Sequence, residues 1–203
     1  SAGYMVYQHV PETHKPDKTH GLHLGGVLRQ YYALLNDGYN LRLMICMAAA
    51  MSGMFAFISG SPFVYTQLLG YTELQFALLF GSNIIAMSLV TSLNLYLLQR
   101  FEATLLMRYQ AAVLALAGLG LVIVAALGQL SYIIPLVIVY VAHVNALCAN
   151  GMAVLLRRHQ PQQAGSLTAL AVSLQFGIAA VSTSLVATFS HSPALAMTGV
   201  MGM

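Results

Sequence analysis

Eight polar or aromatic side chains that lie within long apolar runs are the residues of this chain best suited to do chemistry. Amides, hydroxyls and an imidazole supply hydrogen-bonding groups, and aromatic rings supply apolar contact surface. The sequence has no His-Glu-x-x-His motif, no Cys-His cluster and no pair of acids within an apolar run. We therefore expect noncovalent binding, with no catalysis, no metal ion and no cofactor. The eight residues are Phe57, Ser61, Phe80, Asn83, Tyr140, His143, Asn150 and Gln175.

Helical spacing gathers these residues into stripes on four of five apolar runs. The third run, by contrast, is almost wholly apolar between Gln110 and Gly128. We expect the first, second, fourth and fifth runs to line a shared cavity and the third to face lipid as a support. The stripes consist of Met54, Phe57, Ser61 and Tyr65 in the first run, Phe76, Phe80, Asn83, Met87 and Asn94 in the second, Tyr140, His143 and Asn150 in the fourth, and Thr168, Gln175 and Ser182 in the fifth.

Each stripe also has a purely structural interpretation. Ser and Thr in membrane helices commonly hydrogen-bond to their own backbone or to a neighbouring helix. Asn83 and Gln175 either line a cavity or bridge two helices, and the Met and Phe side chains either contact ligand or fill the core. A protonation role for His143 is one interpretation, because histidine side chains titrate near neutral pH; a neutral, hydrogen-bonded structural histidine is the favoured alternative.

The apolar runs have the length of membrane-spanning helices, which need about 20 residues. They cover residues 41–65, 72–98, 103–128, 132–156 and 164–189, and a sixth run begins near Ser192-Pro193 and stops at Met203. Thr72 and Gln75 match a capping box at the start of the second run. The pattern predicts an all-α polytopic bundle, and we expect the chain to be an excerpt of a longer protein, cut within its last helix.

The positions of the eight basic residues predict the orientation of this bundle. Turns after the first, third and fifth runs contain no Lys or Arg. Because cytoplasmic loops carry an excess of Lys and Arg, the N-terminal tail is predicted to be cytoplasmic. The basic residues are Lys15, Lys18, Arg29 and Arg42 before the first run, Arg100 and Arg108 around the turn after the second, and Arg157 and Arg158 after the fourth.

Composition supports the same class of protein. Charged residues make up 6% of the chain and hydrophobic residues 59%, whereas soluble domains carry about 25% charged residues. The net charge of +3 is therefore explained by topology, and we expect no nucleic-acid partner. Cys46 and Cys148 lie within apolar runs and are expected to be buried free thiols.

The polar lead-in, residues 1–40, contains a short amphipathic stretch before the membrane half-domain of residues 41–203. The spacing predicts a helix lying in the cytoplasmic interface, with a plain loop as the alternative. Asn36-Asp37-Gly38 is expected to end it. The apolar positions are Leu24, Val27, Leu28, Tyr31 and Leu35.

Several short segments of the chain carry a resemblance to one known family. The run from Phe55 through Ser59-Gly60-Ser61-Pro62 to Val64 resembles the seventh helix of the Bcr/CflA drug-resistance transporters, a branch of the major facilitator superfamily, and the similarity continues through Gly70, Phe76, Phe80 and Asn83. Gln163-Ala164-Gly165-Ser166 and Gln175 are similar to the opening of helix eleven, and Val10-Pro11-Glu12-Thr13 to the segment after helix six.

The resemblance implies a C-terminal six-helix half, with helices seven to eleven complete and helix twelve truncated. It implies proton-driven efflux of amphipathic small molecules or drugs by alternating access, in a bacterial inner membrane, together with a missing N-terminal half. A metabolite or nutrient transporter on the same scaffold is the alternative, ahead of a membrane-embedded enzyme or scaffold. The loop after helix eight departs from the family's Gly- and Arg-rich gating motif, and only Arg100 is a plausible gating counterpart.

Overall fold

The structure is a computed structural model that describes residues 24–188 and 193–202. The segment Val10–Thr13, the residues Lys15 and Lys18, and the predicted start of the sixth run at Ser192 lie outside the described residues. Within those residues the chain is helical and contains no strand. The helices are α1 Leu24–Asn36, α2 Gly38–Phe63, α3 Glu73–Leu97, α4 Ala103–Ala126, α5 Ile133–Arg157, α6 Ala164–Thr188 and α7 Pro193–Met201.

Five of these helices are long and apolar enough to cross a membrane: α2 with its extension, α3, α4, α5 with its preceding turn, and α6. Their order and bounds match the five predicted runs to within about three residues at each end. The prediction of an all-α polytopic membrane bundle is therefore confirmed. α7 covers the described part of the sixth run.

The first span extends three residues beyond its predicted end at Tyr65. It passes through Pro62 and continues as a π-helical turn, Val64–Leu68, so that helical backbone runs unbroken from Gly38 to Leu68. Proline removes one backbone donor. Here the Val64 N–H contacts both the Gly60 and Ser61 carbonyls, and the Thr66 hydroxyl donates to the Pro62 carbonyl at 2.7 Å. These bonds pair the Gly60, Ser61 and Pro62 carbonyls as the helix continues past the proline.

Side-chain caps separate neighbouring helices. The predicted capping box is present: the Gln75 N–H donates to Thr72 Oγ1 at 3.3 Å, and the Thr72 N–H donates to Gln75 Oε1 at 2.9 Å. Asp37 caps α2 by accepting from the Tyr39 N–H at 2.9 Å. The predicted break therefore divides the amphipathic helix α1 from the first span.

The helices α2 and α5 are central to the bundle. α2 packs against α5, α6 and α7, and α5 packs against α2, α3 and α4. The two central helices approach closely at Gly53, where the Tyr140 ring lies against the glycine. This approach needs a glycine, because any Cβ there would overlap the Tyr140 hydroxyl. On the opposite side, Gly118 of α4 allows a similarly close contact with the Met201 carbonyl of α7.

Candidate binding groove and buried amide cluster

A small apolar groove lies between α2, α3 and α5 and has a volume of about 60 Å³. It brings together the predicted stripes of the first and second spans, because Met54 and Phe57 face Phe80, Asn83 and Met87 across it. That volume holds a few water molecules and a larger molecule only if side chains move. The groove is lined by Met54, Phe57, Ile58, Phe80, Asn83, Ile84, Met87 and Val141.

Aromatic rings continue from this groove toward the π-helical end of the first span. Phe57 and Phe80 are stacked, with ring centroids 5.8 Å apart and planes 12° from parallel. Phe76 contacts Phe80 at 5.8 Å and Tyr65 at 5.7 Å. Tyr65 in turn contacts Tyr71 at 6.4 Å, so the cluster joins both ends of the turn between α2 and α3. Such contacts stabilise the packing of α3 on α2 beyond simple burial of area.

Asn83 is the single polar residue in the lining of the groove. Its side chain is 4% exposed, and its Nδ2 donates to the Leu79 carbonyl of its own helix at 3.0 Å. Within the described part of the chain, Asn83 Oδ1 has no hydrogen-bond partner. The surface of the groove is therefore aliphatic, aromatic and thioether, and the unpaired Asn83 Oδ1 is itself buried.

The other predicted binding residues lie elsewhere. Ser61 is fully buried on α2, and its hydroxyl has no partner among the described residues. Tyr140 borders a separate cavity of about 180 Å³ between α2, α4, α5 and α7. The ring of His143 is half-buried, and its Nδ1 lies 2.8 Å from the Val139 carbonyl. Because a carbonyl only accepts, Nδ1 carries the proton in that bond. Gln175 is buried on α6, outside the groove lining.

Asn150 belongs to a buried amide cluster that joins three helices. Its Nδ2 donates to Asn94 Oδ1 at 2.8 Å and to Gln110 Oε1 at 3.0 Å. Asn94 Nδ2 donates back to Asn150 Oδ1 at 3.2 Å, and Gln110 Nε2 donates to Asn94 Oδ1 at 2.9 Å. All three side chains are at most 4% exposed. The cluster ties α3, α4 and α5 together, so it is an interhelical bridge in which each carbonyl oxygen is satisfied.

Sequence reasoning did not identify this cluster. The amide of Asn94 was placed in the second-span stripe, and Gln110 marked only the edge of the apolar third span. The available signal was an amide in the last third of the second and fourth spans and in the first third of the third span. The third span, α4, is thus bonded through Gln110 to α3 and α5 as well as packed on α7. By contrast, α3 has the least buried apolar stretch of the five spans, at 6%.

The predicted gating and topogenic arginines are exposed at helix ends: Arg100, Arg108, Arg157 and Arg158. The Arg100 guanidinium lies 5.4 Å from the Tyr96 ring centroid on its own helix end. Arg158 lies 4.0 Å from the Tyr39 ring centroid and so connects the end of α5 to the start of α2. Exposed arginines beside aromatic rings suit a membrane interface.

A second contact joins the same two ends of α2 and α5. Asn40 Nδ2 lies 3.2 Å from His159 Nε2, and His159 Nδ1 lies 3.0 Å from the Leu155 carbonyl. His159 therefore donates from Nδ1 to the Leu155 carbonyl, and its Nε2 faces the Asn40 side-chain amide. Among the described residues, no group of three or more His, Cys, Asp or Glu side chains is placed to hold a metal ion.

The five apolar helices and the absence of any strand from the described residues define the class: a multi-pass, all-helical membrane protein. Comparison with known proteins adds a relative. The chain is 29% identical over 202 residues to the bicyclomycin resistance protein homolog of Haemophilus influenzae, which confirms the predicted resemblance to Bcr/CflA-type proteins. The match covers 99% of this chain and 50% of that relative, so the chain spans half of its length. No family model and no solved structure matches the chain.

Proposed function

We propose that this chain forms the C-terminal half of a secondary active transporter that exports amphipathic small molecules. The observation that carries the proposal is the similarity to the bicyclomycin resistance protein homolog, which extends over 99% of the chain. A membrane protein of this kind supports resistance when it moves the drug out of the cell. Residues 1–40 would then be the cytoplasmic loop between two halves, and residues 41–203 the C-terminal half-domain.

The groove between α2, α3 and α5 is the proposed substrate-contacting surface of this half. Aromatic and methionine side chains adapt to ligands of different shape, because thioethers are flexible and rings present flat apolar faces. Of the eight predicted binding residues, Phe57, Phe80 and Asn83 line this groove. Such a lining suits weakly selective binding of amphipathic molecules better than recognition of one charged ligand.

A second half would complete the site in this proposal. Transporters built from repeated halves bind substrate near the bilayer midplane between them and work by rocking one half against the other. The open side of the groove supports this arrangement, because Ile58 and Ile84 of its lining are 40% and 55% exposed in the chain alone. Proton coupling would reside in the other half, since the charged residues of the described spans lie near helix ends.

The orientation and location of the protein are part of the same proposal. Arg100, Arg108, Arg157 and Arg158 would lie at the cytoplasmic face of a bacterial inner membrane and anchor the bundle there. Among them, Arg100 is proposed also to act in gating, and its contact with Tyr96 would hold it at the interface.

A chimera tests the proposal. This chain replaces the matching half of the Haemophilus influenzae relative, and the chimera is expressed in a bicyclomycin-sensitive bacterium. We expect the chimera to lower intracellular bicyclomycin, and a protonophore to abolish that effect. The chain expressed alone serves as the control and should leave drug accumulation unchanged. A chimera that reaches the membrane but leaves drug accumulation at the control level, or raises it, contradicts the proposal.

A further inference from the structure

One end of the bundle carries two arginines that flank a single tyrosine ring. The Arg158 guanidinium, at the end of α5, lies 4.0 Å from the centroid of the Tyr39 ring at the start of α2. Arg42 follows Tyr39 by three residues, so the two side chains are neighbours on the surface of α2. Both arginines are exposed, and Tyr39 is 36% exposed. Two cationic side chains therefore lie close together where α2 and α5 meet.

A buried contact holds these two helix ends in place. Asn40 Nδ2 lies 3.2 Å from His159 Nε2, in the residues that directly follow Tyr39 and Arg158. Asn40 is 1% exposed, and His159 is also tied to its own helix through the Leu155 carbonyl at 3.0 Å. Because the helix ends are fixed to each other, the two arginines cannot move far apart to reduce their mutual repulsion.

The acidic side chains of the described residues do not neutralise this pair. Asp37 caps α2 by accepting from the Tyr39 N–H at 2.9 Å, and Glu73 and Glu102 lie at the first turns of α3 and α4. Within the part of the chain that the structure describes, neither arginine forms an ion pair with any of them. Two like charges held close together are stabilised by an anion that binds between them.

The position of Arg158 suits a phosphate group as that anion. A guanidinium is planar, and its N–H donors point outward in its own plane. Because the group lies over the Tyr39 ring, its donors remain available to bind two phosphate oxygens at once. The ring also restricts the arginine before any ligand arrives, so less side-chain freedom is lost on binding.

The depth of the pair in the bundle favours a lipid headgroup as the source of the phosphate. The first span begins at Gly38 and the fourth ends at Arg157, so the pair lies at the ends of two apolar spans. Beside it, α1 packs on α2 and α6 and buries Leu34. The other sides of α1 leave Tyr32 72% exposed and Leu35 36% exposed. Aromatic and apolar side chains at this level contact the boundary between headgroups and acyl chains.

We propose that Arg42 and Arg158 bind the phosphate of one anionic phospholipid at the junction of α2 and α5, with α1 in contact with the same lipid. The probes are dioleoyl phosphatidylglycerol, which is anionic, and dioleoyl phosphatidylcholine, which has the same acyl chains and no net charge. The full chain in detergent micelles is titrated with each lipid, and the dissociation constant of the first bound lipid is measured by native mass spectrometry. The result does not depend on whether the chain takes part in drug export.

Phosphatidylglycerol should bind roughly 10- to 30-fold more tightly than phosphatidylcholine, the range expected for two arginines at a membrane surface. Arg42→Gln and Arg158→Gln should each reduce this preference roughly 5-fold. Tyr39→Leu keeps both charges and should reduce the preference roughly 2- to 5-fold, because Arg158 is no longer held against a ring. Arg100→Gln is the matched control, since it removes the same charge from an exposed arginine stacked on a tyrosine of its own helix end. It should keep the preference.

Equal binding of the two lipids by the unmodified chain overturns the inference without reference to any variant. A loss of preference in Arg100→Gln as large as that in Arg158→Gln would show that net charge alone attracts the lipid, and it overturns the inference as well. The affinity for phosphatidylcholine should stay near its original value in each variant, which shows that this end of the bundle is intact.

A soluble competitor separates a lipid site from a site for free phosphate compounds. Glycerophosphoglycerol has the headgroup of phosphatidylglycerol and no acyl chains. At the same concentration it should leave the bound phosphatidylglycerol in place, because it lacks the contacts with the apolar surface. Displacement of the lipid by this compound would mean that the arginines bind a free phosphate anion, and the lipid assignment would then be wrong.

Discussion

Replacing Asn150 with leucine should destabilise the bundle because it dismantles the amide cluster. Asn150 takes part in three of the four hydrogen bonds that join α3, α4 and α5. Interhelical hydrogen bonds in membrane proteins contribute about 0.6 kcal/mol each, so the loss is about 2 kcal/mol of unfolding free energy. Gln110→Leu removes two bonds and should cost about 1 kcal/mol by the same measure.

The pattern across variants distinguishes the cluster from simple packing. Asn94→Leu and Asn150→Leu each leave amide atoms buried without partners, whereas changing all three amides to leucine leaves none. The triple variant Asn94→Leu, Gln110→Leu, Asn150→Leu should therefore be more stable than the sum of the single losses predicts. Asn145→Leu is the matched control, since Asn145 is exposed on the same helix, and it should remain within about 0.5 kcal/mol of the unmodified chain.

The chain supplies its own reporter for this measurement. It has two cysteines, Cys46 on α2 and Cys148 on α5, and both are half-buried free thiols. Their reaction with a thiol-reactive dye during an SDS titration follows unfolding of the two central helices. If Asn150→Leu unfolds at the same SDS fraction as Asn145→Leu, or if the triple variant loses the full sum of the single effects, the role assigned to the cluster is wrong.

Three further predictions use the same titration. Gly53→Leu should destabilise the chain by about 1–3 kcal/mol because the new leucine side chain overlaps Tyr140. Adding Tyr140→Ala to the same chain should restore part of the loss. An unchanged unfolding midpoint in Gly53→Leu would refute the close contact. Thr72→Ala removes the capping box and should cost about 1 kcal/mol, and a cost indistinguishable from zero would mean that the cap does not stabilise α3. Arg158→Gln and Tyr39→Leu should each lower the unfolding free energy by about 0.5–1 kcal/mol, and the double variant should lose no more than either single variant. Additive losses in the double variant would show that the two side chains do not interact.

The spans were predictable because a bilayer imposes a length and a composition on every helix that crosses it. Apolar runs bounded by turn residues predicted α3 and α6 to within a residue or so at their first turns. The capping box at Thr72 was equally local, since both partners lie within four residues of sequence. The π-helical extension of the first span to Leu68 was not predictable in the same way. It depends on backbone hydrogen bonds of the folded chain, such as that from the Leu69 N–H to the Val64 carbonyl at 3.0 Å.

The candidate site was predicted in part, for a physical reason. Helical spacing gives the direction of a side chain around its own axis, and this was sufficient to bring Phe57 together with Phe80 and Asn83. It does not give the neighbour that the side chain meets. Asn150 points to Asn94 and Gln110, and Tyr140 points to Gly53 and a different cavity. Those contacts depend on helix order and crossing, which single-helix periodicity does not contain.

The central claim, that this chain supplies half of an exporter through its groove, is tested most directly by drug movement in inverted inner-membrane vesicles that carry the chimera. Respiration acidifies the vesicle interior, and export from the cell becomes uptake into the vesicle. We expect bicyclomycin uptake that collapses when a protonophore is added. Uptake should also fall sharply when Phe57→Ala and Asn83→Leu are combined. It should persist in Ser88→Ala, because Ser88 is exposed on the same helix and its hydroxyl donates to the Ile84 carbonyl. Uptake that ignores the protonophore, or that is unchanged by the paired groove substitutions, would contradict the central claim.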